Sequence, residues 1–272
     1  MPNSADVLDL LNETKARGEP FALATVVRTV SVTAAKAGAK AVILADGSIS
    51  AGWIGGGCAR SAVLKAAREA LADGQPRLVS IQPSDLLVEQ KVNAGELRDG
   101  VIYAKNMCPS QGTMDVFVEP MLPRPHLIIC GASPVAVALA DLARRMGFFV
   151  IVLAAQAEHG TFTAVDRLVD GYKLLEDGSH SDYIVIATQG RGDSAALKAL
   201  IHAPCKYFAF VGSRKKAAAL KQDLVDGGVA PALLDKIRAP AGKDLGSITP
   251  DEIALSIVAE MVEVRRLGQR QI

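Results

Sequence analysis

Hydrophobic positions follow two different regimes on either side of the proline cluster Pro120-Met121-Leu122-Pro123-Arg124-Pro125. On its N-terminal side, helix-like and strand-like periods are mixed. Val7, Leu8 and Leu11 share one helical face, with Ser4 placed to cap that helix and Gly18 to close it. Phe21–Val30 and Ala39–Ala45 are rich in β-branched residues, and Asp46-Gly47 predicts a tight hairpin into a strand over Ser48–Trp53. The run Gly55-Gly56-Gly57-Cys58 opens a helix over Ala59–Leu71, in which Val63, Ala67 and Leu71 recur at i, i+4 and i+8, and Gly74 is placed to stop it. Arg77–Ile81 and Thr113–Val118 read as further strands, so this half is α+β.

Beyond the prolines, short apolar strands alternate with helices: Leu127–Cys130, a helix from Pro134, Phe149–Leu153, Tyr183–Ala187, a helix over Ser194–Ile201, Tyr207–Val211 and a helix over Arg214–Val225. Alternation of this kind predicts a doubly wound parallel sheet, an α/β fold. Thr249 as N-cap, Pro250 at the first helical position and Glu252 completing a capping box predict a last helix with Ile253, Ile257, Met261 and Val264 on its apolar face. Three prolines in six residues favour a stiff extended connector over a central strand, which places the domain boundary there, with domains over 1–122 and 123–272.

Composition narrows the class. Half of the 272 residues are hydrophobic and 22% are charged, with a formal net charge of +1 and a mean hydropathy of +0.24. That is enough apolar side chain for a sizeable core and far from the mixture of a disordered chain. Near-zero charge and 4% aromatic residues argue against a nucleic-acid partner, because phosphate tracking needs a basic face and stacking rings. The run Pro125–Ala140 has no charge, but it falls short of the ~20 residues of a bilayer span and is interrupted by Gly131 and Pro134, so no membrane span is expected. The first residues have no basic and apolar leader pattern, so the expected compartment is the cytoplasm, where Cys58, Cys108, Cys130 and Cys205 stay reduced. Neither these cysteines nor His126, His159, His180 and His202 have zinc-site spacing, and no metal site is expected.

Four stretches carry candidate chemistry. Gly131-Ala132-Ser133-Pro134-Val135-Ala136 follows a strand and opens a helix, as a dinucleotide fingerprint does, with Ser133 in place of the second glycine and Pro134 removing one N–H. The second strand ends in Leu153-Ala154-Ala155-Gln156, where Gln156 stands for the acid that would meet a ribose. Either a nucleotide-like cofactor sits here or the fold is a Rossmann-shaped scaffold with a degenerate pocket. Gly55, Gly56 and Gly57 allow a tight bend or a close approach before a helix start. There Cys58, with Arg60 nearby, is a candidate nucleophile or sulfur carrier, or else a buried cysteine beside a turn. Gly212-Ser213-Arg214-Lys215-Lys216 repeats the strand–glycine–helix order; its cations oppose the helix dipole and read either as phosphate contacts or as a solvated basic face. The loop Asn106–Gly112 carries Cys108, a second candidate thiol that would face Cys58 in a site between the domains. The polar side chains of Thr188-Gln189-Gly190-Arg191-Gly192-Asp193, Thr188 and Gln189 foremost, are ligand contacts or simply loop and cap.

Across nearly the whole chain the sequence resembles the XdhC/CoxI family of accessory proteins that mature molybdenum hydroxylases such as xanthine dehydrogenase and aerobic carbon monoxide dehydrogenase. The resemblance rests on Ala24-Thr25-Val26-Val27-Arg28, Gly38-Ala39-Lys40, Asp46-Gly47, the Gly55–Cys58 loop and Val116-Phe117-Val118-Glu119-Pro120. Further on it rests on Leu127–Leu139, Gly212–Lys216, Arg238-Ala239-Pro240-Ala241-Gly242 and Ile248-Thr249-Pro250-Asp251-Glu252-Ile253-Ala254. Val30–Lys36, Arg60 and Ser133-Pro134 depart from the family pattern, which makes the chain similar to a divergent, CoxF-like branch.

The resemblance implies an N-terminal α+β XdhC-type domain followed by a Rossmann-like domain, and a homodimer that binds the molybdenum cofactor as molybdopterin or its cytosine dinucleotide form. It also implies help with sulfuration of that cofactor, with a sulfurtransferase as a further partner, and delivery to an apo molybdenum hydroxylase. A maturation chaperone is thus expected, its cofactor phosphates on the Gly55, Gly131 and Gly212 loops in a cleft between the domains. An FAD- or NAD(P)-binding oxidoreductase is the alternative, FAD ahead of NAD because Gln156 replaces the ribose acid, and an interaction scaffold with a dead pocket is the third possibility.

Overall fold

Two units make up the chain, Met1–Pro123 and Arg124–Ile272. The computed structural model describes residues 4–109, 111–163, 165–173 and 182–267, with the backbone alone at residues 4–6, 8 and 58.

The first unit runs α1 (Ser4–Ala16), β1 (Phe21–Val30), β2 (Lys40–Leu44), β3 (Ile49–Gly52), α2 (Gly57–Asp73), β4 (Arg77–Gln82), α3 (Ser84–Glu89), β5 (Leu97–Arg98), β6 (Val101–Lys105) and β7 (Thr113–Met121). Its seven strands form one sheet in the order β3-β2-β1-β7-β4-β6-β5; β4 and β6 are parallel and the other pairs antiparallel. On one face α2 lays Val63, Ala66, Ala67 and Ala70 against Ala24, Val26, Val79, Ile81, Val116 and Val118. On the other, Val7 of α1 packs on Phe21 and Val42 at the β1–β2 end only. Asp46-Gly47 turns the β2–β3 hairpin as predicted: Gly47 takes φ +84° and the Ser48 N–H donates to the Asp46 carboxylate at 2.8 Å. Gly74 closes α2 at φ +72°, its N–H donating to Ala70.

Two expectations need correction here. Ser4 lies within α1 rather than ahead of it. Pro120 is not part of a connector: β7 continues to Met121 and pairs Pro120 with Ala22, because the missing proline N–H is tolerated near a strand end. Between β4 and β7, where the sequence reading placed no element, lie α3, β5 and β6.

The second unit runs β8 (His126–Cys130), α4 (Pro134–Arg145), β9 (Phe149–Ala154), a 3₁₀ turn (Gln156–Thr161), β10 (Arg167–Asp170), β11 (Tyr183–Ile186), α5 (Asp193–Leu200), β12 (Tyr207–Phe210), α6 (Arg214–Asp226), α7 (Pro231–Asp235), β13 (Ile237–Arg238) and α8 (Pro250–Arg266). All six strands are parallel, in the order β10-β9-β8-β11-β12-β13, which is a Rossmann-like doubly wound sheet. Leu127, Ile129, Val150 and Val152 face α4 and α8 through Leu139, Ala140, Ile257 and Met261. Ile128, Ile151, Ile184 and Ile186 face the opposite way, onto Leu197, Leu200, Ala217 and Leu224 of α5 and α6. The Thr249–Glu252 capping box starts α8 as predicted. Among the described residues no helix is long and apolar enough to cross a membrane.

A buried carboxylate ties α8 to the sheet. Glu260 accepts from the Tyr207 hydroxyl at 2.7 Å, from Arg238 Nη1 at 2.8 Å and from the Gly242 N–H at 3.0 Å. Burial opposes its ionisation, but the bonds from Tyr207 and Arg238 outweigh that and hold its pKa below the usual carboxylate range. A depressed native pKa contributes stability that is full above the unfolded value, about 4.3, and is lost as pH falls through the native one. Glu260→Gln is therefore expected to cost about 2 kcal/mol at pH 7 and much less at pH 3 in urea titrations; an equal cost at both pH values would contradict the charge-based account.

Candidate functional site

The order of the parallel strands reverses between β8 and β11, so the loops leaving their carboxyl ends diverge and open a crevice. Gly131 ends β8 at φ +97°, and a Cβ there would stand 2.6 Å from Thr188 Cα and 2.9 Å from Ala187 O. The glycine is thus required by the approach of the β11 loop. Ser133 caps α4, its Oγ accepting from the Ala136 N–H at 3.2 Å, and Pro134 takes the first helical position. Among the described residues the N–H groups of Ala132, Ser133 and Val135 have no hydrogen-bond partner. A cavity of about 140 Å³ opens here, lined by Gly131, Ala132, Ser133 and Pro134 on one side and by Glu158, Tyr172, Thr188, Gln189 and Arg191 on the others.

Behind the β11 loop lies buried Asp193 at the start of α5. It accepts from the Thr188 hydroxyl and from the Gly190 N–H at 3.0 Å, and it pairs with Lys216 Nζ at 2.5 Å. Burial alone would raise its pKa; Lys216, Thr188 and Gly190 together hold it below the usual range. Lys216 also lies 5.6 Å from the centre of the Phe210 ring. The β11 loop is thereby braced against α6 in a fixed shape. Tyr172 donates its hydroxyl to Arg191 O at 3.0 Å, and burial, with nearby Glu158 and Asp193, pushes its own ionisation upward.

The predicted residues fall into place unevenly. Gly131, Ala132, Ser133, Pro134, Thr188 and Gln189 line the cavity, and Val135 follows in the first turn of α4. Gln156 begins the 3₁₀ turn after β9, its N–H donating to Asp170 Oδ1 at 2.9 Å, so an acid does stand near the end of β9 but comes from β10. Gly212 is small because of Phe210, whose Cε1 would lie 2.4 Å from a Cβ at that position. Ser213 caps α6 through the Lys216 N–H. Arg214 and Lys215 are exposed at its start, and of the three cations it is Lys216 that reaches Asp193. Arg191, in the same predicted stretch as Thr188 and Gln189, also lines the cavity, whereas Glu158 and Tyr172 were not among the predicted contacts.

The first unit has a cavity of its own, about 210 Å³, lined by Gly56, Gly57 and Ala59 at the start of α2 and by Thr33, Asn106, Met107 and Cys108. Gly55 requires its glycine, at φ +113°, whereas a Cβ on Gly56 or Gly57 would meet nothing within 4 Å. Asn106 shapes the cysteine loop, accepting from the Cys108 N–H at 2.9 Å and donating to Gly112 O at 2.7 Å. Cys108 is exposed. Cys58 occupies the second position of α2, and its side chain lies outside the described residues. Cys130 is buried and Cys205 half-buried, and burial pushes both thiols up.

The family model described as the XdhC Rossmann domain matches residues 127–261, and that of the XdhC and CoxI family matches residues 14–82. The chain belongs to the XdhC and CoxI family. The first match contains the whole Gly131–Asp193–Lys216 arrangement, and the second contains the Gly55–Cys58 loop. YqeB, an uncharacterized protein of Escherichia coli (strain K12), is 29% identical over 255 residues, covering 90% of this chain and 44% of YqeB. A Bacillus subtilis (strain 168) protein, named as one of the probable subunits of xanthine dehydrogenase, is 28% identical over 162 residues, covering 57% of this chain and 47% of that protein. The XdhC-family chain thus spans less than half the length of either curated relative. A crystal structure described as a xanthine dehydrogenase from Bacillus halodurans is 20% identical, with a TM-score of 0.48 and coverage of 97% of this chain and 96% of that one.

Two variants test the site's construction. Lys216→Met leaves the Asp193 carboxylate buried without its cation, and is expected to cost about 2 kcal/mol at pH 7, with the penalty shrinking toward pH 3 as Asp193 takes a proton; denaturant midpoints across that range check it. Gly131→Ala forces both a left-handed alanine and a clash with Thr188, so a loss of more than about 2 kcal/mol is expected in thermal melts.

Proposed function

We propose that this chain is a maturation factor for a molybdenum hydroxylase of the xanthine dehydrogenase type, and that its Rossmann-like unit holds the phosphate end of the molybdenum cofactor, as molybdopterin or its cytosine dinucleotide form. Family membership and the name of the Bacillus subtilis relative support the hydroxylase. The observation that carries the cofactor reading is the set of N–H groups of Ala132, Ser133 and Val135, without a partner among the described residues, at the start of α4 and the reversal point of a parallel sheet. Such a helix start attracts anions through its free donors and its dipole.

The residues present fit a phosphate group. The cavity of about 140 Å³ is lined by polar atoms but lies below the 300–1,000 Å³ of whole-ligand pockets, so it suits one end of a larger molecule. The Ser133 hydroxyl, whose oxygen is engaged in capping, still has its proton to donate. When bound, the cofactor supplies the molybdenum centre that the hydroxylase uses. Cys58 and Cys108 are proposed as the thiols that serve sulfuration, Cys58 because the start of α2 favours a thiolate. An apo hydroxylase and a sulfurtransferase are the proposed partners, in the cytoplasm, of a homodimer. The strand order favours a second reading, an FAD- or NAD(P)-binding oxidoreductase in the same pathway.

The test is to purify the chain from a host that makes the cofactor and to identify by mass spectrometry what heating releases. A pterin is expected in near-stoichiometric amount, and Ala132→Glu, which sets a carboxylate where the phosphate would sit, should reduce retention at least tenfold with the circular dichroism unchanged. Release of FAD would move the assignment to the second reading; no ligand at all would reject both. Cys58→Ala should retain the pterin yet fail to activate the apo hydroxylase.

A further inference from the structure

The largest cavity described, about 440 Å³, lies on the first unit's sheet, on the face opposite α2. It is lined along β4 by Leu78, Ser80 and Gln82 and on neighbouring strands by Arg28, Asp115 and Tyr103. Its size is that of a small-molecule site. Ser80 and Gln82 are each 4% exposed, so two polar side chains are buried on a face that α1 covers only at its far end.

Hydrogen bonds run in one direction through this row. Arg28 Nε donates to Asp115 Oδ2 at 2.6 Å, and the Ser80 hydroxyl donates to Asp115 Oδ1 at 2.6 Å. Having given its only proton to a carboxylate, Ser80 can only accept from Gln82, whose Nε2 donates to it at 2.9 Å. That fixes which way round the Gln82 amide sits. Its carbonyl oxygen is left buried with no partner among the described residues, and an orphaned buried acceptor is costly unless something fills it. The backbone is pinned as well, since the Gln82 C=O accepts from the Asn106 N–H at 2.6 Å. Arg98 shapes the rim by donating to Glu96, Gln90 O and Lys91 O. The charged residues at the cavity are Arg28, Arg98, Asp99 and Asp115, two of each sign. Their charges cancel in number, so the lining carries no net charge to select an anion or a cation.

We propose that this cavity is a second binding site, for an uncharged cyclic amide that donates its N–H to Gln82 Oε1 and offers its carbonyl to the Tyr103 hydroxyl or to the terminal nitrogens of Arg28. Those donors have no other partner among the described residues. Leu78, Val92 and Val101 supply apolar walls for the ring. The site lies wholly on the first unit and does not rest on the cofactor reading of the second.

Titration of the full chain with uracil against 1,3-dimethyluracil, and with 2-pyridone against N-methyl-2-pyridone, tests this by ligand-observed NMR. Saturable binding of the N–H forms is expected, at least tenfold weaker after N-methylation. Gln82→Met keeps the side-chain length and removes the orphaned oxygen, so it should lower affinity at least tenfold without lowering the melting temperature. Absence of binding by both N–H forms, or binding that survives N-methylation, would overturn the proposal on the unmodified protein alone.

Discussion

A parallel sheet cannot leave a face in water, because its strands are apolar on both sides and its crossovers need helices to carry the chain back. In the second unit β8, β9, β11 and β12 are buried along most or all of their length, so α4 and α8 must cover one face and α5 and α6 the other. Once that covering is imposed, the crossovers wind outward in both directions from β8 and β11. The crevice between the loops of these two strands then follows from topology. Gly131 lets those loops touch, and Asp193 locks the second loop to α6 through Lys216. The N–H groups at the start of α4 that have no partner among the described residues are therefore held in a rigid frame, as the proposed anion site needs.

The first unit obeys a looser rule. Its sheet is mostly antiparallel, and such a sheet needs only one face buried. Helix α2, rich in alanine, packs closely on that face. The other face keeps α1 at one end and the row Arg28, Asp115, Ser80 and Gln82 at the other. Polar side chains are tolerated inside strands there because the Ser80 hydroxyl and the Gln82 amide nitrogen are bonded within the row, which leaves the Gln82 carbonyl oxygen as its buried side-chain atom without a partner among the described residues.

Elements with a strong local signal were legible in the amino-acid order. The Asp46-Gly47 hairpin, the Gly74 stop and the Thr249–Glu252 capping box each depend on neighbours within four residues, so their chemistry is written where they act. By contrast β5, β10 and β13 have two to four residues with charges at their ends, and they become strands because a partner already in place offers hydrogen bonds. Pro120 misled in the same way: its ring argues against a central strand, yet β1 continues to pair with β7 there. In the site, Gly131, Ser133 and Thr188 were readable from the strand–glycine–helix order, while Glu158 and Tyr172 arrive from β9 and β10 connections that no local pattern links to them.

Glycines make the same division at the level of single residues. Gly131 and Gly212 both stand between a strand and a helix and look alike in the sequence. One is small because another loop crosses it and the other because a phenylalanine ring lies over it. Likewise Arg214, Lys215 and Lys216 are equivalent as a basic run, and helical phase decides that only the last meets Asp193. Local order was sufficient for periodicity, the hairpin turn, the α8 cap and the α/β alternation, since these are short-range consequences of side-chain shape and hydrogen bonding. Which polar groups are satisfied, which cation is spent on a buried acid and which amide oxygen is left over are set by residues tens of positions apart, and folding alone brings those together.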